Sequence, residues 1–201
     1  MIAPSELIIN PDGSCFHLHL KPEQLADKII MVGDPDRVNT VASYFDTKEC
    51  EVSSREFHTI TGTYKGKRIT TLSHGIGTDN IDIVLNELDA LANIDFASRT
   101  IKPEFRQLTM VRVGTSGGLQ PFVPVGTYVA AGKSIGFDGV LYFYAGSEEV
   151  RDKAFESELI RQLEWKLNDI KPYVVSADPS LVEQITQNDI IRGVTLAANG
   201  F

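Results

Sequence analysis

Apolar residues along the chain fall into short unbroken runs and into stripes of helical period, separated by polar stretches punctuated with Gly and Pro. "KIIMVG", Lys28 to Gly33, is the first clear run and has the length of a buried strand. Asp34 then stands where it can cap a helix. Pro35 suits the first helical turn, where a missing N–H has no intrahelical partner to lose. Val38, Val41, Ala42 and Phe45 recur at i, i+3, i+4 and i+7, one face of that helix. "REFHTITGTYKGKRITTLSHG" predicts two strands around a Lys65-Gly66 turn. The polar loop "GIGTDN" leads into a helix predicted from Asp79 to Ala97, with Ile81, Val84, Leu85, Leu88, Leu91 and Ala92 on one side. "LTMVRVGT" is almost continuously apolar, which predicts a central strand of a sheet covered on both faces. "VGTYVAAG" predicts another strand. Phe155, Leu159, Leu163 and Leu167 predict a late helix, and "IIRGVTLAANGF" opens as a strand. Strands alternating with helices argue an α/β fold, and with no repeat, linker or low-complexity block, residues 1–201 read as one domain. Gly200-Phe201 come directly after a strand, so the chain is expected to be a portion of a longer polypeptide, with its C-terminal part missing.

Composition narrows the function classes. The 201 residues are 42% hydrophobic and 23% charged, ordinary for a globular protein. Against 27 Asp+Glu stand 19 Lys+Arg, a net charge of -8 with no basic run, which argues against nucleic-acid binding. An arginine that holds an anion must then do so in a local pocket rather than through a broad field. Cys15 and Cys50 do not form a disulfide framework for a chain of this size, so a reducing cytoplasm is expected. The N-terminus lacks the basic and apolar regions of a secretion signal, and no apolar run has the length to span a bilayer.

Two corners at the ends of apolar strands carry candidate chemistry. At "IIMVGDPDRV", Gly33 would let the backbone approach an anion closely, and Arg37 would add a charge-assisted fork beside the positive end of the helix. Asp and Pro are also common helix starts with no ligand at all, and the P-loop pattern is absent. At "VRVGTSGG", a strand carrying Arg112 runs into a Gly-rich turn whose N–H groups, with the Thr115 hydroxyl, can cradle a phosphate. A charged residue inside an apolar strand is costly unless paired, so Arg112 holds either a carboxylate or a ligand.

Other motifs point elsewhere. "GTSGG" matches the G-x-S-x-G elbow of serine hydrolases, with Ser116 as nucleophile. Pro121 and Pro124 oppose the helix such an elbow needs, and all the histidines precede Ser116 in the chain. "SHGIGTDN" has Asn80 where a dinucleotide fingerprint needs its third glycine. "CFHLHL" would place Cys15, His17 and His19 on one face of an extended segment, a metal site in principle, with no H-E-x-x-H or paired C-x-x-C to support it. His58 and His74 read as strand or loop residues with satisfied hydrogen bonds.

Taken in order, F-H-L-x-L, V-G-D-P-D-R-V, S-R-E-F, G-I-G and R-V-G-T-S-G resemble the nucleoside phosphorylase superfamily, and within it the uridine phosphorylase branch, from Phe16 to Phe201. The resemblance implies a mixed central β-sheet flanked by helices and phosphorolysis of uridine, or a related pyrimidine nucleoside, to uracil and ribose 1-phosphate. It implies a phosphate-binding set of Gly33, Arg37, Arg55, Arg112 and Thr115, with Arg37 and Arg112 the catalytic arginines. Arg55 corresponds to an arginine that reaches the neighbouring subunit's phosphate. His17 corresponds to a histidine that crosses the same interface to the ribose. Thr115, Ser116, Gly117 and Phe201 complete the implied nucleoside-binding set with His17. No metal or organic cofactor is implied beyond inorganic phosphate as co-substrate and, in some members, a monovalent cation such as K+ near Glu56, Ile76 and Asn80, where Asn80 replaces a serine ligand. The implied assembly is a homo-oligomer, at least a dimer with shared sites and, by family, a hexamer. Purine nucleoside phosphorolysis, nucleoside hydrolysis, a Ser116 hydrolase and a non-catalytic nucleoside-binding protein are the alternatives.

Overall fold

The computed structural model describes residues 1–167, 171–187 and 190–199. The chain divides into two compact units, Met1–Thr115 and Ser116–Phe201.

The first unit contains β1 (Lys28–Val32), α1 (Pro35–Ala42), β2 (Thr47–Ser54), β3 (Phe57–Tyr64), β4 (Lys67–Ser73), α2 (Thr78–Asn93), the short pair β5 (Ile94–Asp95) and β6 (Thr100–Ile101), and β7 (Thr109–Val113). Its five-stranded sheet has the order β2-β3-β4-β1-β7. β1 runs parallel to both β4 and β7, while β3 is antiparallel to β2 and to β4. Alternation along the strands feeds both faces. Ile29, Met31, Phe57 and Leu72 pack with Val84, Leu88 and Leu91 of α2, and Val32 and Ile60 pack with Val38 and Ala42 of α1. This is a mixed sheet flanked by helices, as expected.

Local chemistry accounts for the elements that the sequence marks most clearly. Asp34 accepts a hydrogen bond from the Asp36 N–H at the start of α1, with Pro35 in the first turn. Val38 and Ala42 are buried, and Val41 and Phe45 pack against the same cluster. Lys65 (φ 49°) and Gly66 (φ 74°) both take the left-handed conformation that a tight hairpin turn requires between β3 and β4.

Several expectations are corrected. β7 is an edge strand of its sheet rather than a central one, with Met110 and Val113 exposed, because only β1 pairs with it among the described residues. α2 ends at Asn93 and not near Ala97, since Ile94–Asp95 turn into β5. "CFHLHL" is not extended. The Cys15 N–H donates to the Leu20 carbonyl at 2.9 Å and His19 has φ 54°, so the segment folds back on itself. Cys15 and Leu18 are thereby buried, and Cys15, His17 and His19 do not form one face.

The second unit contains β8 (Val129–Gly136), α3 (Ser147–Val150), α4 (Lys153–Gln162), β9 (Tyr173–Ser176), α5 (Pro179–Ile185) and β10 (Ile191–Ala197). Its sheet has the order β10-β8-β9, with β10 parallel and β9 antiparallel to β8. The strand expected in "VGTYVAAG" begins four residues later, at Val129. α4 stops at Gln162, which leaves Leu163 and Leu167 outside it and exposed. A buried ion pair ties this unit together. Arg151 donates through Nε (2.9 Å) and a terminal nitrogen (2.7 Å) to Glu156, whose Oε1 also accepts from the Val174 N–H at 2.9 Å. The carboxylate raises the Arg151 pKa above its ordinary value.

Candidate active site

The parallel pairing of β1 with its neighbours builds the site. Val32 stands opposite Ser73 of β4 and Val113 of β7. The next residue of each strand, Gly33, His74 and Gly114, therefore lies in one row beyond the carboxyl ends of the strands, where open α/β sheets bind ligands. α1 begins immediately after Gly33 and carries Arg37 in its first turn, so its N-terminus adds positive potential at the same place.

Around Gly33 the side chains close in. A methyl group at Gly33 would lie 3.6 Å from a terminal nitrogen of Arg37, 3.7 Å from Cε1 of His74 and 3.7 Å from the Gly75 carbonyl oxygen. The Arg112 Nε–H donates to Nε2 of His74 at 2.9 Å. Gly114 leaves the space its own Cβ would need to the Arg112 guanidinium, which would otherwise lie 2.6 Å away. Partial burial of the guanidinium, with the nearby Arg37 charge, pushes the Arg112 pKa down. Burial likewise lowers the His74 pKa, with smaller contributions from Arg112 and Arg37. Among the described residues neither arginine has a carboxylate partner, so Arg112 is anchored by an imidazole rather than by an acid. The expectation that both isolated histidines are satisfied holds for His58, whose Nε2 lies 3.0 Å from Glu51. It fails for His74, because its Nδ1 is buried with no hydrogen-bond partner.

A second group forms around the β2–β3 hairpin. Arg55 turns that hairpin with φ 56°, and its guanidinium lies over the Phe16 ring, 5.6 Å from the centroid. Phe16 in turn meets the His17 ring edge-on at 4.8 Å. Glu87 of α2 holds the segment. Its carboxylate accepts from the backbone N–H groups of His17 (2.8 Å) and Leu18 (2.8 Å) and lies 2.7 Å from Nδ1 of His17. Nε2 of His17 is thus the ring nitrogen left for another contact. Sequence reasoning missed Glu87, although an acid spaced three residues from Val84 and four from Leu91 on a buried helical face was a visible signal. The same carboxylate, after burial itself, raises the Cys15 thiol pKa.

The remaining predicted residues lie around these two groups or beyond them. Glu56 and Asn80 flank Gly75, and the Asn80 amide donates to the Ile76 carbonyl at 3.0 Å. No group of three His, Cys, Asp or Glu that could hold a metal occurs among the described residues. Thr115 and, in the second unit, Ser116 and Gly117 are exposed after β7. No helix or strand occurs over residues 114–128, so Ser116 does not sit on a nucleophile elbow. Phe201 lies outside the described residues. No helix among the described residues is long and apolar enough to cross a membrane.

Comparison with known proteins places the chain in a family. A family model described as the phosphorylase superfamily matches residues 27–201. The chain is similar to a uridine phosphorylase of Thermococcus kodakarensis, 30% identical over 68% of this chain and 44% of the relative. It is similar to a DeoD-type purine nucleoside phosphorylase of Levilactobacillus brevis, 37% identical over 57% of this chain and 44% of that one. The chain thus spans less than half the length of these curated relatives. Among solved structures, a Trypanosoma brucei nucleoside phosphorylase described as showing uridine phosphorylase activity superposes with a TM-score of 0.83 at 32% identity, over 97% of this chain and 69% of its own.

Proposed function

The chain belongs to the phosphorylase superfamily, and from that premise we propose that it carries the phosphate-binding side of a nucleoside phosphorylase acting on uridine. The observation that supports this most is the pair Arg37 and Arg112, set around Gly33 at the strand ends with no carboxylate partner among the described residues, in a chain of net charge -8. Two cations held close without an acid repel each other, and an anion relieves that cost.

In the proposed reaction inorganic phosphate is the nucleophile. Arg37 and Arg112 hold it below C1′ of the sugar, with the Thr115 hydroxyl and the turn after β7 as further donors. The base departs from the opposite face through a transition state that resembles an oxocarbenium ion, as in glycoside hydrolysis. The arginines supply orientation, and the negative charge left on the phosphate stabilises the developing cation. His17, held through Nδ1 by Glu87, offers Nε2 to a ribose hydroxyl. Arg55 and His17, brought together through Phe16, are proposed to serve the site of a second copy, in a homo-oligomer of at least two chains and by family a hexamer. Ser116, Gly117 and Phe201 are proposed nucleoside contacts, and Glu56, Ile76 and Asn80 proposed neighbours of a K+ ion. The proposed setting is pyrimidine salvage in the cytoplasm.

The test is base release from uridine with and without phosphate, with chromatography of uracil and ribose 1-phosphate. Release is expected to require phosphate, and Arg112→Ala to raise the phosphate KM roughly 10- to 150-fold, the loss of one charge-assisted bond. Release of uracil that ignores phosphate would replace this reading with a hydrolase. Inosine belongs in the same assay, because the similarity to a purine nucleoside phosphorylase supports a purine substrate as the second reading.

A further inference from the structure

We propose that His74 is a positioning residue for Arg112: a neutral imidazole that aims the guanidinium at the anion without cancelling its charge. This role rests on the proposed phosphate site. The backbone placement is firm, since the His74 N–H donates to the Val32 carbonyl at 2.9 Å and locks the residue beside Gly33. The residue is only 3% exposed, so its hydrogen bonds are made to protein or not at all.

Donor inventory then dictates the protonation state. Arginine has donors and no acceptor, so Nε2 of His74, 2.9 Å from the Arg112 Nε, must present a lone pair. The ring is neutral, and its single proton sits on Nδ1. A proton on Nε2 would break the bond and set two cations face to face. The lowered His74 pKa, caused first by burial and then by Arg112 and Arg37, agrees with a neutral ring. The bond consumes one of the five N–H groups of Arg112 and leaves both terminal nitrogens for a ligand.

A binding-site arginine is ordinarily oriented by Asp or Glu, which would neutralise the charge that phosphate needs. An imidazole lone pair supplies the same directional anchor with no net charge. The distinction between anchoring and neutralising makes the idea testable with three substitutions. His74→Gln keeps a neutral acceptor near the position of Nε2. His74→Glu keeps the acceptor but adds a negative charge. His74→Leu removes the acceptor while filling the space.

The experiment measures inorganic phosphate affinity by titration calorimetry, with KM for phosphate and for uridine, in the unsubstituted protein, the three variants and Arg112→Ala. Thermal melting reports whether each is folded. His74→Gln is expected to bind phosphate within about threefold of the unsubstituted protein, and His74→Leu about tenfold more weakly. His74→Glu should bind most weakly, because its carboxylate competes for Arg112. The uridine KM should change far less than the phosphate KM, a split that a purely structural role would not produce. Should His74→Leu fail to fold, the near-isosteric Gln and Glu pair still decides, since equal phosphate affinity in those two would overturn the proposal. Normal phosphate binding in His74→Leu, with binding lost in Arg112→Ala, would overturn the role of His74 and leave the phosphate site standing. Phosphate binding unaffected by Arg112→Ala, or absent from the unsubstituted protein, would overturn both.

Discussion

Gly33→Ala separates a packing role for this glycine from a ligand role. Gly33 does not have the positive φ that favours glycine, so alanine suits its backbone. The added methyl would meet Arg37, His74 and Gly75 at 3.6–3.7 Å, ordinary van der Waals distances, so no atom of the protein has to move. Stability should therefore be unchanged or rise by up to about 1 kcal/mol, because alanine reduces the freedom of the unfolded chain. The ligand sees a different outcome. A phosphate oxygen bonded to Arg37 must come within about 2.9 Å of its nitrogen, and the methyl takes up the space beside that nitrogen. Displacing the anion from one charge-assisted bond costs about 1.5–3 kcal/mol, or roughly 10- to 150-fold in phosphate affinity. Calorimetric titration with phosphate, the phosphate KM at saturating uridine, and a thermal melt together measure both effects. A phosphate KM within twofold of the unsubstituted protein, with an intact melt, would show that no anion approaches Gly33. A collapsed melt would show that the local packing has been misjudged.

Other consequences reach beyond the phosphate corner. Arg151→Ala should destabilise the second unit by about 3–5 kcal/mol in urea unfolding, because it strands the Glu156 carboxylate, whose side chain is 6% exposed; a loss below 1 kcal/mol would refute that account. Cys15 is fully buried and should resist iodoacetamide in the folded protein while half-buried Cys50 reacts, as peptide mass mapping would reveal. Because the folded Cys15 pKa is raised, the unfolded chain ionises first. Its contribution to stability is full below the ordinary thiol pKa and falls as pH rises past it, by at most about 1.4 kcal/mol per pH unit. Urea midpoints measured from pH 7 to 10 should fall less steeply in Cys15→Ala, and equal slopes would refute the assignment.

Wherever short-range chemistry decides, the residues alone specified the outcome. The Asp34 cap, Pro35 and the stripe Val38, Val41, Ala42 and Phe45 form α1 because each acts within a turn or two of its neighbours. The Lys65-Gly66 turn obeys the same locality. The motif order that marks the phosphorylase superfamily is also a property of the chain. Tertiary structure decided what depends on neighbours distant in sequence. Apolar content alone could not show that β7 is an edge strand among the described residues, because burial depends on which strands lie beside it. Nor could it show that "CFHLHL" folds back over α2, where Glu87, seventy residues on, captures its N–H groups. The partner of Arg112 is the clearest case. A charged residue in an apolar strand called for a carboxylate or a ligand, and the structure supplies an imidazole. Only the register that sets Val32 against both Ser73 and Val113 brings His74 and Arg112 together, and that register comes from packing the whole sheet between its helices.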